Sequence, residues 1–91
     1  MRYVFLDGAK IYRADDLHRA FETALDLPEW YGNNLDALHD CLTDLSRDVW
    51  IVLINGDLMD TALGDYAEKL RLVFTEATNL PYSARFTEHL S

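Results

Sequence analysis

Asp36, His39 and Asp40 fall within about one turn of a predicted helix, with Cys41 and Asp44 close behind, so they set the first chemical question. Carboxylate and imidazole side chains make a plausible metal-ligand set, but nothing nearby supplies a further ligand, and the spacing alone describes ordinary surface neighbours equally well. Cys41 points toward a leucine stripe, which favours a small buried hydrophobe over a thiolate nucleophile. Asp36 and Asp40 could divide acid and base work only in a concave, water-poor setting, which an exposed helix face lacks. No glycine-rich phosphate loop, basic patch or run of aromatics interleaved with Lys or Arg is present. The expectation is therefore no enzyme, no metal and no cofactor, with a metal-assisted hydrolase around Asp36, His39 and Asp40 as the weakest alternative.

Association remains. Leu35, Leu38, Leu42 and Leu45 share one face of the predicted helix, and Asp36, Asp40 and Asp44 share nearly the opposite one. Like charges at i,i+4 each cost about 0.2–0.5 kcal/mol on an isolated helix, so a row of aspartates with no cation among them asks for a functional reason. Trp30 and Tyr31 precede this helix in a turn, where exposed aromatics beside charge make interface anchors. Tyr31 is the better choice for the ring that turns inward.

The elements that must position these residues can be read in order. Tyr3–Leu6 is a short apolar strand ended by Asp7 and Gly8. Asp15 is a candidate N-cap for a first helix whose stripe is Leu17, Ala20, Phe21, Ala24 and Leu25, stopped at Leu27-Pro28. Gly32 permits a tight bend before Asn33 or Asn34 caps the acidic helix. Val49–Ile54 is the strongest strand, halted by Asn55-Gly56; its unbroken apolar run predicts cover on both faces. Asp57 can cap a brief helix ended by Gly64, and a longer one then runs from Asp65 toward Leu80-Pro81. The tail from Tyr82 to Leu90 reads as an edge strand. The order predicts an α/β fold, a parallel three-stranded sheet packed with about four helices, with residues 1–91 as a single domain.

Composition sets the outer limits. The chain has 91 residues, 49% of them hydrophobic and 26% charged, with no apolar run long enough for a membrane span. Its start does not read as a signal peptide and it has a single cysteine, so a reducing, cytoplasmic setting is expected. Net charge is −8, from 8 Lys and Arg against 16 Asp and Glu. From Asp26 to Asp48 the acids Asp26, Glu29, Asp36, Asp40, Asp44 and Asp48 face Arg47 alone, a patch that repels nucleic acid and attracts basic partners.

The same stretch resembles the barstar family of ribonuclease inhibitors. The resemblance rests on Leu27-Pro28-Glu29-Trp30-Tyr31-Gly32, Asn34-Leu35-Asp36-Ala37-Leu38 and Asp40-Cys41-Leu42-Thr43. It extends back through Asp16-Leu17-His18 and, more faintly, forward through Val73-Phe74 and Glu76-Ala77. It implies the barstar-like α/β fold and a noncovalent intracellular inhibitor that plugs the active site of a basic, extracellular-type ribonuclease, itself a monomer when free. By position, Asp40 would take the place of a substrate phosphate, with Asp36 and Glu76 as flanking acids. Trp30 would stand for a stacking tyrosine, and Gly32, Asn34 and Thr43 would be neighbouring contacts. His39 and Leu45 stand where the family has tryptophans and Asp44 where it has glycine, so His39 and Asp44 join the expected binding surface as features particular to this chain. The alternative partner is another basic protein or toxin.

Overall fold

The computed structural model describes residues 2–27, 31–44, 48–79 and 81–89. Strand β1 (Arg2–Asp7) passes through a short 3-10 turn (Gly8–Lys10) to helix α1 (Ala14–Leu25). Helix α2 (Leu35–Leu42) precedes strand β2 (Val49–Ile54), and helices α3 (Gly56–Leu63) and α4 (Asp65–Ala77) lead to strand β3 (Arg85–His89). The strands form one parallel sheet in the order β1-β2-β3, with Tyr3 opposite Trp50 and Trp50 opposite Arg85. This is the expected α/β fold, with the tail strand at an edge.

Burial alternates along β1 and β2, and here the expectation of a doubly covered sheet is corrected. Val4, Leu6, Val49, Ile51 and Leu53 are buried, whereas Tyr3, Phe5 and Ile54 on the other face are 49%, 72% and 39% exposed. The reason is topological. Right-handed crossovers between strands laid down in sequence order carry every connecting helix over the same face. Covering both faces requires a reversal of strand order, which a 1-2-3 sheet lacks.

On the covered face Leu17, Phe21 and Leu25 of α1 join Leu38 and Leu42 of α2, Met59 of α3, and Leu70, Phe74 and Ala77 of α4 in one core. Burying a side chain of this size contributes about 1.5–3 kcal/mol, so this shared core is the main source of stability. Arg71 of α4 adds a polar tie, donating to Asp60 of α3 at 3.2 Å and to Glu88 of β3.

Several helix ends differ from the sequence reading. The N-cap of α1 is Arg13 and not Asp15; Asp16 reaches back to accept the Tyr12 and Arg13 N–H groups at 3.0 and 3.1 Å. A carboxylate in the first turn satisfies donors that the helix itself cannot. Asn55, in the left-handed region at φ 53°, is the N-cap of α3 in place of Asp57. Its side chain donates to Asp7 at 2.9 Å and ties the ends of β1 and β2 together. Gly64, also at positive φ, divides α3 from α4 as anticipated. Helix α4 closes at Thr78, short of Leu80-Pro81.

Candidate partner-binding surface

The turn into α2 is fixed by its own hydrogen bonds. Asn34 caps the helix, its Oδ1 accepting the Ala37 N–H at 2.8 Å while its Nδ2 donates to the Gly32 carbonyl at 3.1 Å. The left-handed residue is Asn33 at φ 51°, so Asn33 and not Gly32 makes the sharp bend. Asparagine tolerates that region because its short polar side chain can bond locally. Trp30 and Leu45 lie outside the described residues. Tyr31 is the inward ring, as expected.

Leu38 and Leu42 are fully buried, and Leu35, Ala37 and Cys41 pack against the core from its margin. Asp36 and Asp40 are therefore turned outward and exposed. The row of three aspartates is shorter than the sequence suggested, because α2 ends at Leu42. Thr43 is the C-cap, and both its N–H and its hydroxyl donate to the His39 carbonyl, at 2.9 and 2.7 Å. Asp44 lies just past that cap and is exposed. Its charge stands beside the carbonyl end of α2, where the helix dipole disfavours an anion.

Glu76 is brought to the same surface from α4. Its Oε2 lies 2.7 Å from His39 Nε2, with the two side chains 64% and 34% exposed. His39 thus joins α2 to α4 and gives one nitrogen to a carboxylate outside the Asp36–Asp40 turn. Among the described residues no three His, Cys, Asp or Glu side chains gather as a metal site. The structure brings Asn34, Asp36, His39, Asp40, Thr43 and Glu76 onto two adjoining helices, with Gly32 and Asp44 at the ends of α2.

Sequence reasoning missed the support beneath this surface. His18 of α1 is buried, with Nδ1 2.7 Å from the Tyr31 hydroxyl and Nε2 2.6 Å from the Tyr66 hydroxyl. The two phenols hold the turn before α2 and the start of α4 to the same imidazole. Burial pushes the His18 pKa down, against a smaller upward pull from Asp15 and Glu22. Burial likewise pushes the Tyr31 and Tyr66 phenols up. The available signal was the spacing of His18 with Phe21 and Leu25, which places it on the buried stripe of α1.

The sheet order, the outward acids of α2 and their backing by α4 define a small α/β protein with an anionic, rigidly seated helix. The chain belongs to the barstar family: residues 1–87 match the family described as Barstar (barnase inhibitor). It is also similar to the Bacillus subtilis (strain 168) protein named "Putative ribonuclease inhibitor YrdF", with 40% identity over 78 residues, covering 85% of this chain and 86% of that protein. No helix among the described residues is long and apolar enough to cross a membrane.

Proposed function

We propose that this chain is a noncovalent inhibitor of a basic, barnase-like ribonuclease of the extracellular type, acting in the cytoplasm as a single-domain monomer and performing no chemistry itself. The observation that supports this most is the outward presentation of Asp36 and Asp40 from a helix whose opposite side, Leu38 and Leu42, is locked in the core. A phosphate-binding site on a ribonuclease is a cluster of Arg, Lys and His, and a carboxylate held rigidly can replace the phosphate through charge-assisted hydrogen bonds. Asp40 is the central substitute, with Asp36, Asp44 and Glu76 around it and Trp30, Gly32, Asn34, His39 and Thr43 as further contacts. The family match and the inhibitor name of the relative support the same reading.

Titrating a barnase-like ribonuclease with the protein should abolish RNA cleavage at a fixed stoichiometry. The barnase–barstar pair supplies the pattern for the size of a central aspartate's contribution: replacing Asp40 by Ala should weaken inhibition by at least about 30-fold, roughly 2 kcal/mol. Full activity of every basic ribonuclease tried at micromolar protein would sink the proposal. A loss within error for Asp40→Ala would move the centre of the interface elsewhere.

A further inference from the structure

The bare face of the sheet is unlike the rest of the molecule. Three rows cross it: Tyr3, Trp50 and Arg85; Phe5, Val52 and Thr87; Asp7, Ile54 and His89. Tyr3 lies nearly parallel to Phe5, with ring centres 6.0 Å apart at 14°, and to Trp50, at 5.8 Å and 24°. The Arg85 guanidinium sits 5.4 Å over the Trp50 ring, whose Nε1 donates to the Thr87 hydroxyl at 2.9 Å. Beyond the free edge of β1, Lys10 and Arg19 line the same shallow depression as Tyr3 and Phe5. Neither Lys10 nor Arg19 forms a salt bridge within the described residues. Two carboxylates stand among them: Asp16 lines the depression and accepts the Tyr12 and Arg13 N–H groups, and Asp7 accepts from Asn55 and Ala9, bonds that together with the charge of Lys10 hold it below the usual carboxylate range. In a chain of net charge −8, the described residues around this aromatic face thus hold three cations, Lys10, Arg19 and Arg85, against two carboxylates, Asp7 and Asp16.

We propose that this face binds a short single-stranded nucleic acid segment, its bases stacking on Tyr3 and Phe5 beside the Arg85–Trp50 pair and its phosphates meeting Lys10, Arg19 and Arg85. The exposed rings of Tyr3 and Phe5 on β1 offer π-faces that any base can use, and the Arg85 guanidinium over Trp50 extends the platform. Flanking cations supply the attraction to phosphate that apolar surface lacks. The inference is separate from ribonuclease inhibition and does not rest on it. The acids of α2 do not forbid it, since the core lies between and charges more than about 8 Å apart are largely screened at physiological salt. A second copy of the chain is a poorer occupant. The face carries Asp7, Arg85 and His89 among its nine positions, so a second copy would have to bury charged groups in a small three-stranded patch.

The test is fluorescence anisotropy of a fluorescein-labelled decauridylate with the whole chain, starting at about 0.15 M salt, where the distant acids are screened, and then raising the salt. Saturable binding that weakens as salt rises is expected. Phe5→Ala and Tyr3→Ala, which remove exposed rings and should leave the circular dichroism spectrum unchanged, should each weaken it at least about fivefold. Arg85→Ala should weaken it and flatten the salt dependence, and Leu72→Ala, an exposed position on α4, should leave it as it is. Absence of saturable binding overturns the proposal, as does binding indifferent to Phe5→Ala and Tyr3→Ala. Sedimentation equilibrium showing a dimer that Phe5→Ala dissociates would assign the face to a second copy and overturn it as well.

Discussion

A neutral imidazole between two phenols can accept from one hydroxyl and donate to the other, which is the state that burial favours for His18. Protonation would make both ring nitrogens donors and charge a site enclosed by the core. The folded pKa lies below the ordinary 6.5, so in the interval between the two values the unfolded chain binds the extra proton. Stability from this group is therefore complete above about pH 6.5 and is lost as pH falls toward the lowered folded value. Urea midpoints should drop between pH 7.5 and 5.5, and His18→Gln should flatten that drop; an unchanged slope in the variant would remove His18 as its source. The His39–Glu76 pair is half open to water, so a double-mutant cycle on stability should return a coupling of no more than about 1 kcal/mol. If Glu76 also meets the target, the same cycle on inhibition should give a distinctly different coupling. At this scale the outward Asp36 and Asp40 are legible from helical angles alone, and Tyr31 is the inward ring that the sequence favours. The His39–Glu76 contact was not legible as a pair, because it joins helices distant in sequence.

Helix α2 is only Leu35–Leu42, too short to be stable by itself, so its cap and its leucines must hold it. Asn34→Ala removes the acceptor for the Ala37 N–H and should cost about 1 kcal/mol in urea unfolding. Leu38→Ala, at a fully buried position, should cost about 2–5 kcal/mol. If Asn34→Ala were neutral, the cap would not be what orders the turn. Strands and α-helices are readable in the sequence, apolar runs marking β1 and β2 and stripes at helical spacing marking α1, α2 and α4, whereas the 3-10 turn Gly8–Lys10 is not. Boundaries were less readable, because Arg13, Asn55 and Thr43 act through backbone conformation and local hydrogen bonds that residue type does not fix. Asp15 and Asp57 have the composition of caps, yet each lies inside the first turn of its helix.

Across the whole molecule charge is unevenly placed: α2 presents Asp36 and Asp40 beside Glu76 of α4, whereas Lys10, Arg19 and Arg85 stand with Asp7 and Asp16 around the bare sheet face. An exposed anionic surface should steer a basic partner, so the association rate with a barnase-like ribonuclease should fall at least about tenfold between low salt and 0.5 M. A flat profile in stopped-flow measurements would contradict the role given to those acids. The aspartate face, the leucine stripe beneath it and the strand runs follow from sequence by itself, since helix and strand periodicity are local properties of the backbone. Tertiary structure alone decided which sheet face is covered, that His39 meets Glu76, and that His18 links Tyr31 to Tyr66. Each of these depends on where successive crossovers deposit the helices. That is why an acidic chain without an aromatic and basic run in its sequence nevertheless assembles Tyr3, Phe5, Trp50 and Arg85 on one surface from three separate strands.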